Sequence, residues 1–161
     1  MHRWLLGSAV LTGCLSEAPT DLEGEMGFAV QDAILVPCRT TTGKQMVFGL
    51  LRSGKSCSGN SPRKRTCEGL TSLLSYPFAC QTGAIPMTIT ASDATLVWIG
   101  DVHSLDDLTT ATVTSVEHRT CGGPPQTMVG DVVILDQGRS SVALDFRFDE
   151  MFGEIDFIVC R

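Results

Sequence analysis

Residues 142–161 read VALDFRFDEMFGEIDFIVCR, and their alternation decides the fold. Leu144, Phe146 and Phe148 alternate with Asp145, Arg147 and Asp149; further on, Ile155, Phe157 and Val159 alternate with Glu154 and Asp156. A helix repeats every 3.6 residues and a strand every two, so this pattern on both sides of a turn containing Gly153 is a hairpin with one buried face. Ile158 breaks its polar face. The acids Asp149, Glu150, Glu154 and Asp156 then read as a solvated face and not as a site.

Upstream, short apolar runs recur between turn residues: FAVQDAILV (28–36), QMVFGLL (45–51), AIPMTITA (84–91), ATLVWIG (94–100), LTTATVTSVE (108–117) and MVGDVVILD (128–136). They are rich in β-branched and aromatic residues, as strands are. In CEGLTSLLSYPFAC (67–80), Leu70, Leu73 and Leu74 stand at helical spacing, so at most one short helix is expected near residues 68–76. The expected fold is all-β: a single disulfide-stapled antiparallel β-sandwich, with a β-barrel as the alternative.

Cysteines carry the location. His2 and Arg3, the apolar run Trp4 to Val10 and small residues before Cys14 follow the order of a secretory signal peptide, and the run is far shorter than the roughly 20 residues that span a bilayer. Leu11-Thr12-Gly13-Cys14 resembles the lipobox of bacterial lipoproteins. That resemblance implies cleavage after Gly13, a covalent lipid on Cys14 and acylation of the new amino terminus, with no other cofactor. Several acyl chains, at about 0.8 kcal/mol per buried methylene, would hold the protein firmly to a lipid bilayer. Leu15 follows the cysteine in place of the aspartate that retains such proteins in the inner membrane, which implies the outer membrane; the periplasmic side of the inner membrane and a soluble secreted form are the alternatives. We therefore expect a signal peptide at 1–13, a lipidated Cys14 with a flexible acidic tether over 14–27, and a domain at 28–161.

The other cysteines, Cys38, Cys57, Cys67, Cys80, Cys121 and Cys160, are an even set bound for an oxidising compartment and are disulfide candidates. Six cysteines allow 15 pairings. Cys57 with Cys67 is the expected first bridge, because only a short polar loop, SGNSPRKRT, separates them. No C-x-x-C pair suggests structural zinc.

Charge is lopsided. The chain has a formal net charge of −6, yet between Ala33 and Cys67 seven basic residues meet no acid. An acidic exported protein is a poor match for nucleic acid, whose binding rests on phosphate neutralisation. The basic loop, sharpest at Arg63, Lys64 and Arg65, would instead meet an anionic envelope partner or, as an inhibitor, the acidic cleft of an exogenous enzyme. Trp98 reads as core.

Catalytic motifs are scarce. Once the signal is removed, only His103 and His118 remain as histidine bases, and no nucleophile elbow or zinc-protease helix occurs. GDVHSLDD (100–107) gathers Asp101, His103, Asp106 and Asp107, a set that would suit zinc or manganese; a metal-dependent enzyme using Asp101, His103 and Asp107 is thus the rival of the non-enzymatic reading. A polar strand end followed by a turn needs the same residue types. The leading expectation is a lipid-anchored protein with a binding or structural role in the cell envelope.

Overall fold

A computed structural model describes residues 21–39, 45–60, 63, 65–73, 92–100, 102, 104–121 and 123–161. Among the described residues there are seven strands and one helix: β1 (Val30–Arg39), β2 (Gln45–Ser56), α1 (Cys67–Leu73), β3 (Ser92–Ile99), β4 (Val113–Arg119), β5 (Gly130–Gln137), β6 (Ser141–Phe148) and β7 (Phe152–Val159). The seven strands form one sheet in the order β4-β3-β2-β1-β7-β6-β5, nearly closed into a barrel. The all-β expectation holds, and α1 falls where one short helix was expected. The sandwich does not, because the strands join one sheet and not two. The expected run at 84–91 lies outside the described residues.

The sheet is two antiparallel meanders, β1 to β4 and β5 to β7, joined where β1 runs parallel to β7 at Ile34↔Ile158 and Leu35↔Val159. The wholly antiparallel expectation therefore fails at that junction. Along the terminal hairpin the alternation behaves as read: Leu144, Phe146, Phe148, Ile155, Phe157 and Val159 are buried and Arg147, Glu154 and Asp156 are exposed. The turn itself is Asp149–Glu150, closed by reciprocal bonds between Phe148 and Met151 at 3.1 and 3.3 Å, and Gly153 stands inside β7.

Side chains fill the barrel. Leu35, Val47, Leu51, Val97, Ile99, Leu144, Phe146 and Phe157 form its interior, and Gly49 faces inward where a Cβ would stand 2.9 Å from Leu35. A second core lies on the outer face of β1, β2 and β3: Ile34, Val36, Phe48, Leu50, Leu96 and Trp98, packed with Leu70 of α1 and with Cys160. Strands buried on both faces need apolar residues at every position, which is why β2 and β3 read as nearly unbroken apolar runs. Trp98 is core, set edge-on to Phe48 with centroids 5.6 Å apart; such a pair contributes about 0.5–1.5 kcal/mol beyond burial alone.

Residues 21–27 of the expected tether pack on the domain. Leu22 is buried, Glu23 exchanges backbone hydrogen bonds with Phe152 at 2.9 and 3.0 Å, and Met26 donates to the Glu150 carbonyl at 2.8 Å. Gly24 passes so near the hairpin that a Cβ would meet the Glu150 oxygen at 2.4 Å, and its φ of +103° suits glycine alone. Cys14 lies outside the described residues. Among those residues no helix is long and apolar enough to cross a membrane.

Candidate functional site

The site begins with two charges placed inside apolar strands. Asp32 on β1 and Arg52 on β2 are cross-strand partners on the outer face, both buried to 2% exposure or less. Arg52 Nε donates to Asp32 Oδ2 at 2.8 Å and its Nη2 to the same oxygen at 2.5 Å, while Asp32 Oδ1 accepts the backbone N–H of Arg65 at 2.8 Å. Arg52 Nη2 also donates to the Arg63 carbonyl at 2.5 Å and to Gln31 Oε1 at 3.2 Å. The pair thus holds the basic segment by its backbone, at Arg63 on one side and Arg65 on the other. A buried ion pair needs such further bonds to offset the desolvation of both charges.

The result is a basic strip with an apolar neighbour. Arg63 is exposed; Arg65 is half-buried, and burial, then the adjacent Arg52 guanidinium, lower its pKa from the usual arginine value, against the pull of Asp32. Arg65 also lines a cleft of about 160 Å³ with Val30, Ala33, Ile155, Asp156 and Ile158. The cleft exists because β1 and β7 pair only at Ile34 and Leu35 and diverge before them. Ile158, the residue that broke the hairpin's polar face, borders it at 53% exposure. Pockets for whole small molecules run to about 300–1,000 Å³, so this one takes a side chain or a short apolar group.

Sequence reasoning marked Arg63, Lys64 and Arg65 but missed Asp32 and Arg52. Their signal was present: opposite charges, each set inside an apolar run, in two runs close enough in sequence to pair. Lys64 lies outside the described residues.

The expected Cys57–Cys67 bridge is corrected. Cys67 bonds Cys160, 93 residues away, with Cα atoms 5.2 Å apart, because α1 packs on the outer core beside the end of β7. Cys38 is also disulfide-bonded, whereas Cys57 and Cys121 are exposed thiols. Cys80 lies outside the described residues.

Of the candidate metal set, Asp101 and His103 lie outside the described residues. Asp106 pairs with Arg161, and its N–H donates to Ser104 Oγ at 3.1 Å; Asp107 accepts the Thr109 hydroxyl at 3.0 Å. Gln137 fixes this turn from β5, accepting the Leu108 N–H and donating to the Leu105 carbonyl. Both aspartates serve a turn, and among the described residues no three metal-ligating side chains gather. The open hollow beside them, about 640 Å³, is bordered by Arg139 and Arg161 as well as Asp106. His118 points into the barrel interior, hydrogen-bonded to Thr95 Oγ1 at 2.9 Å and stacked near Phe28, and desolvation lowers its pKa despite Asp93. It is 1% exposed.

A second groove, about 190 Å³, lies between the free edges of β4 and β5, where the barrel stays open. It is bordered by Thr114, Ser115, Val116, Met128, Asp131 and Phe148. No protein-family model matches the chain, and no curated protein or solved structure matches it.

Proposed function

We propose that the chain is a lipid-anchored envelope protein, held through Cys14 at the outer membrane, whose barrel domain binds an anionic envelope component without catalysis. The observation that carries this is the Asp32–Arg52 pair: a buried ion pair whose spare bonds go to the backbone of Arg63 and Arg65. Pinning the backbone leaves the Arg63 side chain free to face outward beside an apolar cleft, and a fixed cation loses less entropy on binding than a mobile one. Exposed charges act over about 8 Å at physiological salt, so the contact is electrostatic and salt-sensitive.

The test is binding of isolated envelope polymer from the native host to the immobilised full chain at low and high salt. Binding that weakens with salt and falls at least tenfold in Arg63→Glu/Arg65→Glu is expected. Equal binding by both proteins would remove the basic segment from the mechanism. The inhibitor reading loses its disulfide-closed loop, since Cys67 is bonded elsewhere; inhibition of a lysozyme or protease panel by the same chain would restore it.

A further inference from the structure

Cys57 and Cys121 are the two thiols among the described cysteines, 64 positions apart in sequence and both exposed. The fold brings them together at one end of the β2-β3-β4 meander. Ser56, the last residue of β2, pairs with Ser92, the first of β3, and the turn after it is closed by Gly59 N–H donating to the Ser56 carbonyl at 3.1 Å. At the end of β4 the chain reverses, Cys121 adopts a left-handed φ of 44°, and its N–H donates to Asp93 Oδ1 at 3.0 Å. These anchors set Cys57 and Cys121 beside each other at that end, near enough for Cys57 to perturb the Cys121 thiol.

We propose that Cys57 and Cys121 close a further disulfide by exchange with small-molecule disulfides, tying the start of the basic segment to the end of β4. Cys67 already ties its far end to Cys160, so closure brackets residues 58–66 between two bridges. The contact with Cys57, and then burial, push the Cys121 thiol up to about 11, so the first attack falls to Cys57. Its thiolate attacks one sulfur of a disulfide RSSR, forming a mixed disulfide and expelling RS⁻, which takes up a proton. Cys121 then loses its proton to solvent and attacks the Cys57 sulfur, expelling the second RS⁻. Two protein thiols lose two electrons, and RSSR gains them as two RSH. An exposed disulfide exchanges more readily than one anchored in a core, as Cys160 is. The proposal stands apart from the identity of the envelope partner, and the assay supplies its own oxidant.

The test equilibrates the purified full chain with graded ratios of reduced to oxidised glutathione, quenches with acid, alkylates, and maps peptides without reductant. The expected result is a linked pair of peptides carrying Cys57 and Cys121 that disappears under mild reduction while the Cys67–Cys160 link persists. In Cys57→Ser, Cys121 is expected to hold glutathione or remain a thiol. The proposal is overturned if, in the unaltered chain, each thiol carries its own glutathione at every ratio, or either is found bonded to a different cysteine.

Discussion

Asp32 ties the candidate site together through both of its carboxylate oxygens: one for Arg52, one for the backbone of Arg65. Removing one partner of a buried pair leaves the other charged and uncompensated, at a cost of about 3–5 kcal/mol. Asp32→Asn is therefore expected to lower stability by that amount in denaturant unfolding, whereas Asp32→Leu combined with Arg52→Met costs less than the sum of the single changes. Additive losses would show that the pair is not coupled. His118 supplies a separate prediction. Its folded pKa lies below the ordinary 6.5, so the unfolded chain binds a proton that the folded chain refuses. The stability from this group is complete above pH 6.5 and is lost as pH falls through 6.5 toward the lower folded value. Thermal unfolding between pH 7.5 and 5 should show a smaller drop in His118→Gln than in the unaltered chain. Residue identity alone marked the arginines of the segment, but not that Asp32 fixes them, because the contact crosses a strand pair whose register the sequence leaves open.

At the scale of the element, alternation made the β6–β7 hairpin legible, since one face of it meets the core and the other meets water. Nearly unbroken apolar runs made β2 and β3 legible as strands without revealing their neighbours: a strand buried on both faces carries no record of which face lies inward. The Cys67–Cys160 link was hidden for a related reason, as closeness in sequence favoured Cys57 while α1 carries Cys67 across the outer face to β7. Cys160→Ser is expected to cost about 2–5 kcal/mol of stability. The exposed edge of β5 is a hazard of its own. Val132 to Leu135 is an unbroken apolar run bounded by Asp131 and Asp136, with a register shift between Ile134 and Asp136 and Leu135 at 42% exposure. Charges and bulges at an edge oppose pairing with another chain. In size-exclusion chromatography at matched concentration, Asp131→Val/Asp136→Val should move the protein toward larger species; an unchanged profile would mean that the edge is protected by other means.

For the molecule as a whole, the two meanders meet at a parallel β1–β7 junction on one side and stop short of each other at β4 and β5 on the other. The first opening holds the Arg65 cleft and the second the Thr114–Asp131 groove, so the barrel offers two places for a partner and the basic segment borders one of them. The proposed anchor rests on the resemblance of Leu11 to Cys14 to a lipobox, and intact mass of protein from the native host is expected to show loss of residues 1–13 and an acylated Cys14; an unmodified terminus would remove the anchor. The most direct test of the binding face is amide hydrogen exchange on the full chain with and without its envelope polymer. Protection concentrated at residues 63–66 and 155–158 is the predicted result. Protection confined to β4 and β5, with the basic segment exchanging as before, would contradict it.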